Sequence, residues 1–187
     1  MQFTKTDFPD VVTIEPKLFQ DARGFFTESY RSDFFSQNEI SDSFPQDNHS
    51  QSSKGVLRGL HFQIEPKAHA KLVRVVRGKI YDVIVDLRKN SPTFQKWMGV
   101  WLSAENKKML YVPKGFAHGF VSAEDNTDVM YKISDFYSQE HDRGILWNDP
   151  EIGIVWPKLD CEYLVSEKDK KNPALSQFLS TQPPFFR

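Results

Sequence analysis

The sequence has a single cysteine, Cys161, among its 187 residues, so no disulfide can form within the chain. No stretch approaches the ~20 apolar residues that a membrane helix needs. The opening Met1-Gln-Phe-Thr-Lys-Thr-Asp-Phe8 lacks the apolar centre of a secretion signal. There is no excess of charge either: 24 Lys and Arg stand against 25 Asp and Glu, a net charge of -1. That argues against nucleic-acid recognition by bulk charge, but not against a local basic pocket. The 9 glycines and 11 prolines are scattered, and there is no repeat, low-complexity stretch or linker. The expectation is one soluble cytoplasmic domain over residues 1–187, with neither a nucleic-acid nor a membrane partner.

Aromatic residues, by contrast, are plentiful. They make up 14% of the chain, with 16 Phe, and hydrophobic residues make up 39%, enough for a sizeable core. The patterning is that of short strands. Val11–Pro16 reads as an opening strand, Asp21–Gly24 as a turn and Phe25–Tyr30 as the returning strand. Ser32–Glu39 reads as a short helix capped by Ser32, and Phe44–Ser53 as strand plus loop. Leu72–Val76 and Ile80–Leu87 flank Arg77-Gly78-Lys79, which reads as a hairpin connection. Trp97–Leu102, Met109–Val112, Gly115–Val121 and Val129–Ile133 follow with turn signals between them. After Tyr137 the chain reads as irregular, up to a short helix over Asn172–Leu179. Such spacing of short strands suggests an all-β sandwich or barrel.

The chemistry concentrates in Lys54-Gly-Val-Leu-Arg-Gly-Leu-His-Phe-Gln63 and its continuation to Lys71. Arg58, His61 and Lys71 are basic groups in a segment that otherwise reads as strand. That pattern fits an anionic ligand handled by a proton-transfer residue. Arg58 can hold a phosphate in bidentate fashion, and His61 is of the type that titrates near neutral pH.

That segment, with Asp21-Ala-Arg-Gly-Phe-Phe-Thr-Glu28, Gln46-Asp-Asn48, Lys71-Leu-Val73, Asp82-Val-Ile-Val-Asp-Leu-Arg88, Ser91-Pro-Thr93, Pro113-Lys-Gly-Phe-Ala-His-Gly-Phe120, Tyr131-Lys132, Trp147-Asn-Asp-Pro150 and Ser166-Glu-Lys-Asp169, resembles the dTDP-4-dehydrorhamnose 3,5-epimerase family over nearly the whole chain. The resemblance implies an all-β, cupin-like jelly roll with short peripheral helices. It also implies a homodimer that exchanges an N-terminal strand, and a reaction without metal or organic cofactor. The implied reaction inverts C3 and C5 of dTDP-4-dehydro-6-deoxy-D-glucose. A carbon beside a ketone is acidic because its anion is an enolate. Inversion there needs a base on one face, an acid on the other, and a cation at the ketone oxygen. The family pattern puts the base on His61, with Asp169 orienting it, the acid on Tyr131 and the cation on Lys71. Substrate-binding positions fall on Arg23, Glu28, Gln46, Asn48, Arg58, His118, Asp142 and Lys168.

Three positions depart from the pattern: His69 stands where Gln is usual, Asp142 where Glu is, and Phe136 where Tyr is common. His69 is open to two readings, a surface variation or an added titrating group near Lys71. Phe26 is a candidate for stacking on thymine. Bland readings stand beside the sharp ones. Ser166 to Asp169 resembles a helix-start signature, which would make Asp169 a capping residue. His61 reads on its own as a hydrogen-bonded strand histidine, Tyr131 and His118 as core groups, and Lys71 as a strand-edge lysine. Asp82 and Asp86 share a strand face and read as structural or pocket-rim groups. The spacing of His61, Glu65, His69 and His118 does not supply a cupin metal set. The alternatives in function are an epimerase acting at one carbon of a related sugar, or a non-catalytic jelly roll that binds a sugar nucleotide.

Overall fold

The protein is described here by a computed structural model covering residues 1–181. Two antiparallel sheets face one another. The first contains six strands in the order β1 (Gln2–Lys5), β2 (Val12–Glu15), β10 (Met109–Val112), β7 (Lys71–Arg77), β12 (Thr127–Ile133) and β5 (Gln46–Ser52). The second runs β13 (Asp142–Gly144), β6 (Val56–Gln63), β11 (Phe116–Ser122), β8 (Lys79–Asp86) and β9 (Trp97–Ser103), and the short β14 (Leu164–Val165) joins β6 in parallel. A separate hairpin, β3 (Phe19–Asp21) and β4 (Gly24–Phe26), stands apart from both sheets. Among the described residues there are three short helices: α1 (Ser32–Gln37), α2 (Glu167–Lys170) and α3 (Leu175–Thr181). This is the jelly-roll arrangement expected from the resemblance, with helices at the periphery.

Alternation along the strands sorts their residues into three layers. Between the sheets lie Val73 and Val75 of β7, Ile80 and Ile84 of β8, Phe120 of β11 and Val129 of β12. On the outer face of the second sheet, Val83 and Val85 pack with Phe62, Ile145, Trp156 and Phe178, so the C-terminal segment forms a cover. On the outer face of the six-stranded sheet, Leu72 and Met109 pack with Phe35 and Ile40 from the α1 region. Both faces of β8 and β11 are therefore buried, as befits strands covered on two sides.

The structure corrects several expectations. Arg77-Gly78-Lys79 is not a hairpin connection, because β7 and β8 do not pair with each other and belong to different sheets. Val73 and Ile80 instead meet across the core. Gly78 makes the abrupt passage possible: its φ is 75°, and a Cβ there would lie 2.3 Å from Thr127 Oγ1. Ser32 is not the cap of α1. Arg31 holds that position without a side-chain cap bond, and its guanidinium is engaged by Asp33 at 2.6 Å. The returning strand of the early hairpin ends at Phe26, short of Tyr30. The turn itself is as expected, with the Arg23 amide donating to Asp21 Oδ1 at 2.8 Å. β1 had no distinct sequence signal, and the stretch read as irregular carries β13 and β14. The last helix begins at Leu175, after Pro173.

Candidate active site

A cavity of about 780 Å³ opens between the two sheets, within the range typical of small-molecule sites. Strand pairing fixes which side chains reach it. On the side of the second sheet, β6 carries Arg58 and His61, and β11 lays His118 directly opposite His61. On the six-stranded side, β12 carries Tyr131, opposite Asn48 of β5 and Val73 of β7, while Lys71 stands opposite Ile133. Gln46 and Asn48 line the same wall, and Asp142, Lys168 and Asp169 close it from the C-terminal segment.

His61 Nε2 lies 2.6 Å from Asp169 Oδ1. Burial alone would raise the Asp169 carboxyl. The bond to His61, the charge of that ring, the Gly59 amide and Ser166 outweigh it, so the group is held below its ordinary value. An ionised carboxylate only accepts, so Nε2 carries the hydrogen and Nδ1 is the ring nitrogen left for a substrate. The helix-start signature and a contact with His61 occur together at Asp169. Ser166 caps α2 by accepting from the Asp169 amide at 3.1 Å, and that cap sets the carboxylate against His61.

Lys71 is buried at the end of β7, with Nζ donating to the His61 carbonyl at 3.2 Å. Burial lowers its ammonium from 10.5 to about 8, partly opposed by Asp82 and Asp142. It is still a cation near neutral pH. Burial raises the Tyr131 phenol, against the nearby charge of Arg58, so Tyr131 is a phenol able to donate. Arg58 is anchored by Ser52 Oγ at 3.2 Å and the Gln51 carbonyl at 3.1 Å. Gln46 donates to Asn48 Oδ1 at 2.9 Å and accepts from the Tyr137 amide at 3.1 Å. Asp142 accepts from Lys168 Nζ at 2.7 Å, which raises the lysine.

His118 forms a second pair, with Asp82 Oδ1 at 2.8 Å. Burial pushes its ring below the usual value, although Asp82 pulls the other way. Asp82 is fully buried behind the cavity wall, where it holds His118. Its partner lies far away in sequence, so no spacing could have linked them. Asp86 is structural: it holds Arg88, Ser91 and Thr93 at 2.6 to 2.8 Å. Sequence reasoning also missed Ser50 and Tyr137 as cavity residues. Ser50 was legible, since Gln46, Asn48 and Ser50 share one face of an alternating strand.

Two expected binding residues lie elsewhere. Arg23 belongs to the β3–β4 hairpin, where its exposed guanidinium meets Asp21 at 2.5 Å. Glu28 faces Arg31 at 3.5 Å. Within one chain neither lines the cavity. The hairpin also exposes Phe19, Phe25 and Phe26, the last at 65%. Among the described residues, no three His, Cys, Asp or Glu side chains gather as a metal site, and no helix is long and apolar enough to cross a membrane.

Comparison with known proteins places this geometry. Residues 5–177 match the family described as dTDP-4-dehydrorhamnose 3,5-epimerase. A protein of that name from Shigella flexneri is 54% identical over 172 residues, covering 90% of this chain and 93% of its own. The crystal structure of the Bacillus anthracis protein of that name, with TDP and PPi bound, has a TM-score of 0.89 at 51% identity, covering 93% of this chain and 99% of that one. A dTDP-6-deoxy-D-glucose-3,5-epimerase from Legionella pneumophila, in complex with dTDP-4-keto-L-rhamnose, has a TM-score of 0.93 at 41% identity and covers 100% of this chain and 98% of that one.

Proposed function

The chain belongs to the dTDP-4-dehydrorhamnose 3,5-epimerase family, and from that premise we propose how its cavity works. The protein is an epimerase that inverts C3 and C5 of dTDP-4-dehydro-6-deoxy-D-glucose, giving dTDP-4-dehydro-L-rhamnose. The observation that carries the mechanism is the hydrogen-bonded His61–Asp169 pair on one wall, with Tyr131 on the opposing sheet. His61 Nδ1 removes the proton from the carbon beside the ketone. The electron pair passes to the C4 oxygen, where the Lys71 ammonium stabilises the enolate. Tyr131 then delivers its proton to the other face of that carbon as the enolate collapses. The resulting imidazolium and phenolate exchange protons with solvent, to which the His61 side chain is 34% open, and the second carbon follows.

Arg58 and Lys168 supply positive charge for the diphosphate, while Gln46, Asn48, His118 and Asp142 position the sugar. Arg23 and Glu28 act in the cavity of a second copy. Their hairpin extends beyond both sheets of its own chain, and its exposed phenylalanines need a cover. The protein is accordingly a homodimer of one-domain subunits that exchange N-terminal segments, working in the cytoplasm on a nucleotide-activated sugar.

Turnover in heavy water tests the chemistry. Deuterium is expected at both C3 and C5 of the product, and His61→Asn is expected to abolish incorporation while leaving dTDP binding intact. Label at one carbon only would mean a single-centre epimerase, and label in the His61→Asn product would move the base elsewhere.

A further inference from the structure

The strand that carries His61 is paired in pieces along the edge that Asp169 approaches. β14 pairs with Val56 and Leu57, and β13 pairs with His61, Phe62 and Gln63. Leu60 exchanges backbone bonds with Ile145. In the gap between these pieces the Gly59 amide donates to Asp169 Oδ2 at 3.3 Å, while Oδ1 meets the His61 ring. The carboxylate thus takes a place on the edge of β6, and the turn around α2 has to come close enough to deliver it.

Gly144 leaves the room for that approach. It stands directly opposite His61 in the β13–β6 pair, and residues paired in this way carry their side chains on one face, about 4.5–5.5 Å apart. A side chain at 144 would therefore compete for the space beside the His61 ring. That space is filled by Asn172, three residues after Asp169. A Cβ at Gly144 would lie 2.3 Å from Asn172 Nδ2 and 2.6 Å from its Cγ and Oδ1, closer than packed atoms can stand. The amide is enclosed on its other sides, since Nδ2 is shielded from solvent. Backbone bonds hold the chain on either side of it: the Asn172 amide donates to the Asp169 carbonyl at 3.4 Å, and the Leu146 amide to the Pro173 carbonyl at 2.8 Å. Gly144 is not among the glycines with positive φ, so its backbone is open to alanine and only the contact excludes a side chain. We propose that Gly144 is a positioning residue of the active site: its bare Cα seats the turn after α2 against β13 and so brings Asp169 within reach of His61. This rests on the reading of His61 as the base with Asp169 as its partner. Gly144 acts through that pair and not on the substrate.

The test compares wild type with Gly144→Ala and with the double variant Gly144→Ala/Asn172→Ala. The reporter is the low-field proton NMR signal of the His61 Nε2–H bonded to Asp169, assigned by its loss in His61→Asn. Gly144→Ala is expected to lose that signal and to lower kcat about tenfold, since a misplacement of about 1 Å can cost about a hundredfold in rate. Its affinity for dTDP should stay within about twofold of wild type, because Arg58 is held separately by Ser52 and Gln51. Removing the obstructed amide makes room for the new methyl, so the double variant is expected to recover the signal and most of kcat. Gly144→Ala with the wild-type signal and kcat would overturn the proposal. So would a double variant as impaired as Gly144→Ala, because the contact with Asn172 would then not be the cause. Asp169→Asn separates the two readings: wild-type kcat in that variant would refute the dyad as the base, while the signal in the Gly144 variants would still decide whether this glycine seats the turn.

Discussion

Lys71 shows how burial tunes a single group, here one proposed to stabilise an enolate. Its ammonium is lowered to about 8, so kcat/KM is expected to fall as pH rises through about 8 and the cation is lost. A Lys71→Arg variant, whatever its absolute rate, should lack that limb because guanidinium remains charged. The same shift bears on stability with the opposite trend. The unfolded chain holds this proton up to about 10.5, so between about 8 and 10.5 it binds more protons than the folded one, and stability rises with pH there. The Tm advantage expected of Lys71→Met at pH 7 should therefore shrink toward pH 10.5, and thermal melts of both proteins across that range would show it. Lys71 was legible as a site residue because a lone base opens an apolar strand. His69 was left open, because whether such a ring is exposed or faces a cavity depends on the backbone around it. Asp82 was read as a structural or rim group, but its partner could not be named, because His118 arrives through strand pairing and not through spacing.

At the level of elements, strands were the legible part, since alternation and turn residues are local. Pairing was not. β7 and β8 look like two arms of a hairpin, yet they lie in opposite sheets, because what joins them is a shared core and not a ladder. The seam between β6 and β11 has a requirement that composition does not reveal. The register shifts between His118 and Phe120, and the backbones approach so closely that a Cβ on Gly119 would lie 2.7 Å from the Arg58 carbonyl oxygen. Gly119→Ala is expected to destabilise by about 1–3 kcal/mol and to lower kcat, since the shift sets His118 beside His61. Chemical denaturation with parallel kinetics checks this, and wild-type values for both would refute it.

For the whole molecule, the jelly roll divides the proposed reaction between its sheets, with His61 on one and Tyr131 on the other. Arg23 and Glu28 were assigned as site residues from the resemblance, and the single chain does not bring them to its own cavity. If they serve the partner's cavity, two inactive proteins can repair each other. Mixing and reassembling Arg23→Ala with His61→Asn would place both defects in one cavity of a heterodimer and leave the other intact. Activity approaching about one quarter of wild type is expected when half the dimers are mixed and half their sites are intact. No recovery after verified subunit exchange would return the hairpin to its own chain.

The cap that joins Ser166 to Asp169 has a consequence for a chain during its synthesis. All the long strands and His61 precede it, so a nascent chain halted before this turn emerges from the ribosome could close its sheets with the C-terminal wall of the cavity still missing. Nothing would then accept from His61 Nε2 or fix which ring nitrogen is free. On the proposed mechanism, catalytic competence is gained when the C-terminal segment docks and not when the sheets close.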